Sequence, residues 1–346
     1  MLKGKSQILM IHFLFPALVF SGCVSSVRGG NEPDWVRDPY AKYPSQANVA
    51  ALGMGSSREI AEKDALGKLV AIFGQSIQVD EKASISYNEA IKSGVTAGWT
   101  EITSVNANIA TTAGMETLVG AEIGETWDDG KGSVFAVAVL NKAKAYQLYT
   151  EMIQSNLAMI DNLLNMTASE KNSLEGYARY QFAATIAGVN ASYGNLLSVI
   201  GRPVQGLKRA EEYRLEAQNV AKSIPVGLKV QNDKAGRIEG AFAKVLSDFG
   251  FRSAQGNSRY VLDVNVSTSP VVLLADQNKF TRIEMKADLI DTSFGTVLVP
   301  FGFNSREGHL TQVEADNRAY LAAERKISQD YAGVLDDYLS RLLPKK

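Results

Sequence analysis

Cys23 is the one cysteine among 346 residues, and His12 and His309 are the only histidines. A single thiol permits no intramolecular disulfide, so packing alone must hold the fold. Zinc needs several cysteine or histidine ligands, which this chain cannot assemble. A Ser-His-Asp triad would have to use His309, and no G-x-S-x-G elbow presents a serine to it. His309 closes the polar run Asn304-Ser305-Arg306-Glu307-Gly308-His309, which reads as a loop between a strand and a helix, with Thr311 as the helix cap. There it is a candidate contact for a ligand or partner. Asp128-Asp129 is the obvious carboxylate pair for glycoside hydrolysis, but it falls on a hairpin tip where water would reach both groups. Gly53-Met54-Gly55-Ser56-Ser57 follows a strand and opens a helix, as a phosphate-cradling loop does. It lacks the third glycine and the lysine of such loops, and reads as a tight turn that lets helix pack on sheet. Of the three tryptophans, Trp35 reads as core, and core or rim packing is expected of the set. Trp99 falls in an irregular stretch and is the second candidate contact. No catalytic residue, cofactor or metal is expected.

The elements around Cys23 give it a different role. Lys3 and Lys5 precede an apolar run from Ile8 to Phe20, and small residues follow. Basic start, short apolar core and small residues before a cut describe a secretory signal. The run is shorter than the ~20 residues that span a bilayer. Val19-Phe20-Ser21-Gly22-Cys23 resembles the lipobox of bacterial lipoproteins. The resemblance implies cleavage after residue 22, a diacylglyceryl thioether on Cys23 and acylation, typically with palmitate, of its new amino group. Buried acyl chains contribute ~0.8 kcal/mol per CH₂, so three would hold the protein in a membrane. Val24, in place of the aspartate that favours inner-membrane retention, points to the outer membrane.

The full chain has 45% hydrophobic residues and a net charge of −1, which loss of Lys3 and Lys5 with the signal would make −3. That supports real cores and offers no basic footprint for nucleic acid. Residues 23–32 read as a lipidated, flexible tether. The first domain is expected over 33–145. It has a buried strand at Asn48–Gly55, an N-cap at Ser57, and a helix from Arg58 to Phe73 with Ala61, Ala65 and Leu69 on one face. Looser strands are expected at 76–88 and 101–112. Leu118–Trp127 and Gly132–Leu140 are clearer strands, joined at Asp128-Asp129-Gly130. Residues 146–223 read as a helical arm, with a capping box at Thr167 and Glu170 and with Gly188 and Gly194 as bending points. Its tyrosine pairs, Tyr146 with Tyr149 and Tyr177 with Tyr180, suit helix–helix core or a protein-binding face. A second α+β domain is expected over 224–346. It has strands at Val226–Val230, Ser258–Ser267, Thr281–Asp291 and Thr296–Asn304, and helices at Arg237–Phe249 and Thr311–Leu343. In the last helix Ala319, Leu321, Ile327, Tyr331, Val334, Leu335, Tyr338 and Leu342 should face inward. The overall class is α+β.

Pro33-Asp34-Trp35-Val36, the segment Ala50-Ala51-Leu52-Gly53-Met54-Gly55-Ser56, the helix Ala61…Ala65…Leu69 and the strand Val134–Ala138 together resemble the LPP20-type lipoprotein family. The same small domain occurs in a flagellar assembly protein, beside a domain like the N-terminal part of the TolB translocation protein, which residues 224–346 loosely resemble. The family implies a compact α+β fold at the cell surface or in the periplasm, and no catalytic residues.

The function expected is therefore that of a non-enzymatic, lipid-anchored envelope protein. It would act in protein–protein interaction or in assembly of a surface structure, with the membrane as partner through Cys23, other envelope proteins beside it, and self-association through the helical arm. The competing expectations are a peptidoglycan- or small-ligand-binding lipoprotein, using Trp99 and His309, and a component of an oligomeric secretion pore.

Overall fold

The computed structural model describes residues 31–74, 87, 118–254, 258–273 and 277–344, with the backbone of Val27–Arg28. The signal segment, Cys23, Trp99 and the strands expected at 76–88 and 101–112, apart from Tyr87, lie outside the described residues. The class is α+β, and the chain divides into two compact units. One comprises Met1–Leu69 with Ala121–Leu140, and the other Val70–Gly120 with Asn141–Lys346.

The first unit holds β1 (Val27–Arg28), α1 (Asp34–Arg37), β2 (Asn48–Gly55), most of α2 (Arg58–Phe73), β3 (Ala121–Asp128) and β4 (Val134–Asn141). The strands form one sheet in the order β1-β3-β4-β2. Inside the stretch expected to be a tether, Val27 and Arg28 pair in parallel with Trp127 and Asp128 of β3. Strands β3 and β4 are antiparallel, with a register shift between Ile123 and Glu125. Their turn is tied by its aspartates. Asp128 Oδ1 accepts the Gly130 amide at 2.8 Å, and Asp129 Oδ1 accepts those of Lys131 at 2.7 Å and Ser133 at 2.9 Å. Trp35, Val36, Ala50, Trp127, Val137 and Val139 make the core of this unit. Ser57 Oγ accepts the Ile60 amide and opens α2. That helix lies unusually close to β2. A Cβ on Gly53 would fall 2.2 Å from the Ala65 nitrogen and 2.3 Å from the Ala61 oxygen. Asp64 on α2 accepts the Met54 amide at 2.9 Å, which ties helix to strand from the outside.

The second unit begins with helices α3 (Lys142–Leu164), α4 (Ala168–Lys171), α5 (Leu174–Val199) and α6 (Ala210–Ser223). The capping box of Thr167 and Glu170 forms as the sequence suggests, but the helix it opens is only α4, and Ser173 caps α5 anew. Gly188 and Gly194 do not interrupt α5. A helix apolar all round must be buried, and α5 is: Tyr177, Phe182, Ala183, Ile186, Ala187, Val189 and Leu197 are all buried. Part of what covers it is the C-terminal sheet region. Tyr177 donates to the Phe249 carbonyl at 2.9 Å, its ring stands 4.8 Å from that of Phe251, and Tyr260 Oη accepts the Leu174 amide at 3.4 Å. The helices expected as an arm thus share one core with the elements that follow them.

Those elements are β5 (Val226–Gln231), α7 (Arg237–Asp248), β6 (Ser253–Ala254), β7 (Tyr260–Val271), β8 (Lys279–Asp291), β9 (Thr296–His309), α8 (Gln312–Lys326), a π-helical turn (Ile327–Tyr331) and α9 (Ala332–Arg341). The sheet order is β6-β5-β7-β8-β9; β5 runs parallel to β6 and β7, and β7, β8 and β9 alternate in direction. On one face Phe242 of α7, Phe301 of β9 and Tyr331 of the π turn meet edge to face, with centroids 4.9–6.4 Å apart. In the closing helix Ala319, Ile327, Tyr331 and Leu335 face inward as expected. Leu321 does not; it is 40% exposed.

Candidate functional site

Three side chains were candidates from the sequence. Cys23 and Trp99 lie outside the described residues. His309 is described, and the run that contains it is not a loop. Strand β9 continues through Asn304 to His309, which pairs with Lys279. Local pattern missed this because the partner strand β8, not apolar alternation, dictates the extension. His309 Nδ1 accepts the Thr311 amide at 3.4 Å, which helps turn the chain into α8, where Thr311 accepts the Glu314 amide. Among the described residues no group of three His, Cys, Asp or Glu side chains could hold a metal. The carboxylates of Asp128 and Asp129 serve their own hairpin. Backbone hydrogen bonds from Ser133 and then Lys131 hold the Asp129 carboxyl below its usual range. Trp35 and Trp127 are core, and Tyr149, Tyr177 and Tyr180 are buried, so these rings present no face to a partner.

The feature that stands out is the second face of the five-stranded sheet: the alternation of Tyr260, Leu262, Val264 and Val266 marks one of its strands as half-buried, but no residue pattern pointed to a site there. Side chains of β7, β8 and β9 alternate between the core and this open face over most of their length. The register aligns Lys229, Asp263, Asp288 and Pro300 in one row across the four strands. The next row is Gln231, Asn265, Lys286 and Gly302. Then come Ser267, Glu284 and Asn304, followed by Ser269, Arg282 and Arg306. A hollow of about 690 Å³ lies over the middle rows, lined by Asn265, Ser267, Glu284, Lys286, Gly302 and Asn304. Gly302 gives the hollow its depth by carrying no side chain. Lys286 Nζ lies 2.9 Å from Asp288 Oδ2, so their charges offset each other.

One border of this face is an edge of the sheet, because among the described residues β9 is the outermost strand. Proline is tolerated in a ladder only where its nitrogen points away from the paired neighbour. Pro300 therefore sets the outward backbone positions of β9 as Pro300, Gly302, Asn304 and Arg306. Pro270 gives the same answer independently. Its nitrogen must point away from β8, so its partner Thr281 bonds to Glu307 instead, and Arg306 then faces outward. Helix α8 reaches this edge at Gly308, whose carbonyl accepts from Arg318 Nη1 at 3.3 Å.

The chemistry on offer is that of recognition: amides, hydroxyls, charges of both signs and an open strand edge. Among the described residues no helix is long and apolar enough to cross a membrane. No family model matches the chain, and no curated protein matches it. Among solved structures it is similar to a secreted protein of Helicobacter pylori, at 12% identity and a TM-score of 0.41, over 82% of this chain and 98% of that one. It is also similar to a minor lipoprotein of Acinetobacter baumannii, at 20% identity and a TM-score of 0.23, over 36% of this chain and 96% of that one. At such scores neither likeness assigns a family.

Proposed function

We propose that this chain is a non-enzymatic, lipid-anchored envelope protein of the LPP20 type, which works by holding another protein against the open face and edge of its five-stranded sheet. The observation that carries this reading is β9: a 14-residue edge strand bordering a polar face with a hollow in it. Edge strands of that length are normally shortened, bulged or covered, because they pair with other chains. The anchor on Cys23 rests on the signal segment and the small residues before the cysteine, and outer-membrane placement rests on Val24.

The test has two arms. Replacing Cys23→Ser is expected to release the protein from the membrane fraction, and full retention would remove the anchor. A photo-crosslinking amino acid at Asn304 is expected to capture one reproducible envelope protein in cells, whereas the same group at exposed Asn219 of α6 should not. Equal capture from both positions, or none from either, would refute a role for this edge.

A further inference from the structure

Two arginines on the open face stand where electrostatics disfavours them. Arg282 of β8 and Arg306 of β9 are directly opposite each other in register. The parity set by Pro270 and Pro300 makes theirs a pair without mutual backbone hydrogen bonds, the type in which facing side chains come closest. Like charges so placed destabilise a sheet. Neither guanidinium has a carboxylate partner among the described residues; Arg306 instead lies 5.6 Å from the centroid of the Phe280 ring. Glu284 follows Arg282 by two residues on the same face, and the Lys286–Asp288 pair is neutral, so this end of the face keeps a positive excess. A single charge on β9 would suffice to discourage stray pairing. Arg282 is on an interior strand, where it discourages nothing.

Arg306 is also held in place. The Phe280 ring occupies the space above Gly308, where an added Cβ would fall 2.5 Å from Cε1 and 2.8 Å from Cδ1. The backbone of Gly308 thus seats Phe280, and Phe280 seats the guanidinium. A cation that is fixed, unpaired and beside a second cation is arranged for an incoming anion.

We propose that Arg282 and Arg306 form a clamp for an acidic side chain of an extended peptide that adds to β9 as a sixth strand. This rests on the partner-holding reading above and names the chemistry of the partner. The outward amides and carbonyls of Gly302, Asn304 and Arg306 supply the main-chain ladder, and pairing of this kind gives affinity while side-chain sites give specificity. The acidic residue falls opposite Arg306, within reach of both guanidiniums. An anionic membrane is the poorer fit, because Glu284 faces the same way and would oppose a continuous negative surface.

The test uses the full chain purified in detergent and a fluorescein-labelled decapeptide of alternating threonine and glutamate, at low salt. Fluorescence anisotropy should show binding that is lost when glutamine replaces glutamate. Arg282→Gln and Arg306→Gln should each weaken Kd by about five- to tenfold, the range of a charge-assisted contact at a partly exposed site. Gly308→Ala should weaken it with every charge intact, since Phe280 must swing aside. Without peptide, Arg282→Gln should raise the thermal midpoint, because it removes the repulsion. That rise separates a clamp from a residue that only supports the fold. Hydrogen exchange at the amides of Gly302, Asn304 and Arg306 should slow on binding. Binding without that protection would overturn strand addition. Equal binding of the glutamine peptide would overturn the clamp, as would arginine-dependent binding of phosphatidylglycerol vesicles with none of peptide. If the peptide fails while crosslinking from Asn304 still captures a partner, the clamp falls and the wider function stands; if both fail, both fall.

Discussion

Two glycines of the first unit should respond to alanine with opposite signs, and the difference measures how closely α2 lies on β2. At Gly53 the new Cβ would meet backbone atoms of α2 at 2.2 and 2.3 Å, whereas ordinary contact begins near 3.4 Å. Backbone cannot rotate out of the way, so the helix must retreat by about 1 Å, which forfeits a quarter to a half of the dispersion at its contacts. Ala61, Ala65 and Leu69 are all fully buried. Adding the strain of overpacking, Gly53→Ala should cost about 3 kcal/mol. At Gly67, in the same helix, a Cβ would meet nothing within 4 Å. There alanine should gain about 0.5–1 kcal/mol, from helix propensity and a less free unfolded chain. For a unit of this size about 1 kcal/mol corresponds to 4–8 °C. The expected shifts are a fall of roughly 12 °C or more for Gly53→Ala and a rise of roughly 2–8 °C for Gly67→Ala. Thermal unfolding followed by indole fluorescence in a Trp99→Phe background would report on Trp35 and Trp127, both in this unit. A Gly53→Ala midpoint within a degree of wild type would refute the close packing, and a fall at Gly67 would refute the claim that its side of the helix is open.

Two further outcomes can be checked alongside these. Asp129→Ala should lower the midpoint at pH 7, and by less as the pH falls into the acid range. A carboxyl held below its usual range contributes stability above its unfolded pKa and loses it as pH falls through the folded one. Asp129→Asn, which keeps a neutral acceptor for the turn amides, should restore part of the stability and lack that pH dependence. Asn156→Ala should cost about 2–4 kcal/mol in urea titration. Asn156 accepts from Tyr87 Oη at 2.7 Å and donates to Asn190 Oδ1 at 2.8 Å within the helical core, and a cost under about 0.5 kcal/mol would mean that water replaces it freely.

Much of the fold was legible because local chemistry specified it. The Asp128-Asp129-Gly130 turn, the capping box at Thr167, the N-cap at Ser57 and the alternation from Tyr260 to Val266 all appear where their residue types require. What was not legible depends on distant pairing. Asn304 to His309 has no apolar alternation, so it resembled a loop; its strand character comes from β8. The two residues of β1 are too few to show any period. The apolar surface of α5 announced burial but not what would cover it, so the helices looked like an arm between domains rather than part of a shared core. The clamp was invisible for the same reason. Arg282 and Arg306 are far apart in sequence, and only the register makes them neighbours.

Strand β1 has a consequence for where the protein can act. Only residues 24–26 separate Cys23 from Val27, which is already fixed to β3. A lipid on Cys23 would hold Val27 within about 14 Å of the anchored residue, the span of four extended residues. A flexible ten-residue leader would have allowed more than twice that. Confinement to a thin layer beside the bilayer raises the effective concentration of the first unit toward anything embedded in the same membrane, and lowers it toward targets deeper in the surrounding space. With a lipid on Cys23, the leash length would sort partners by their distance from the bilayer before any side chain recognised them.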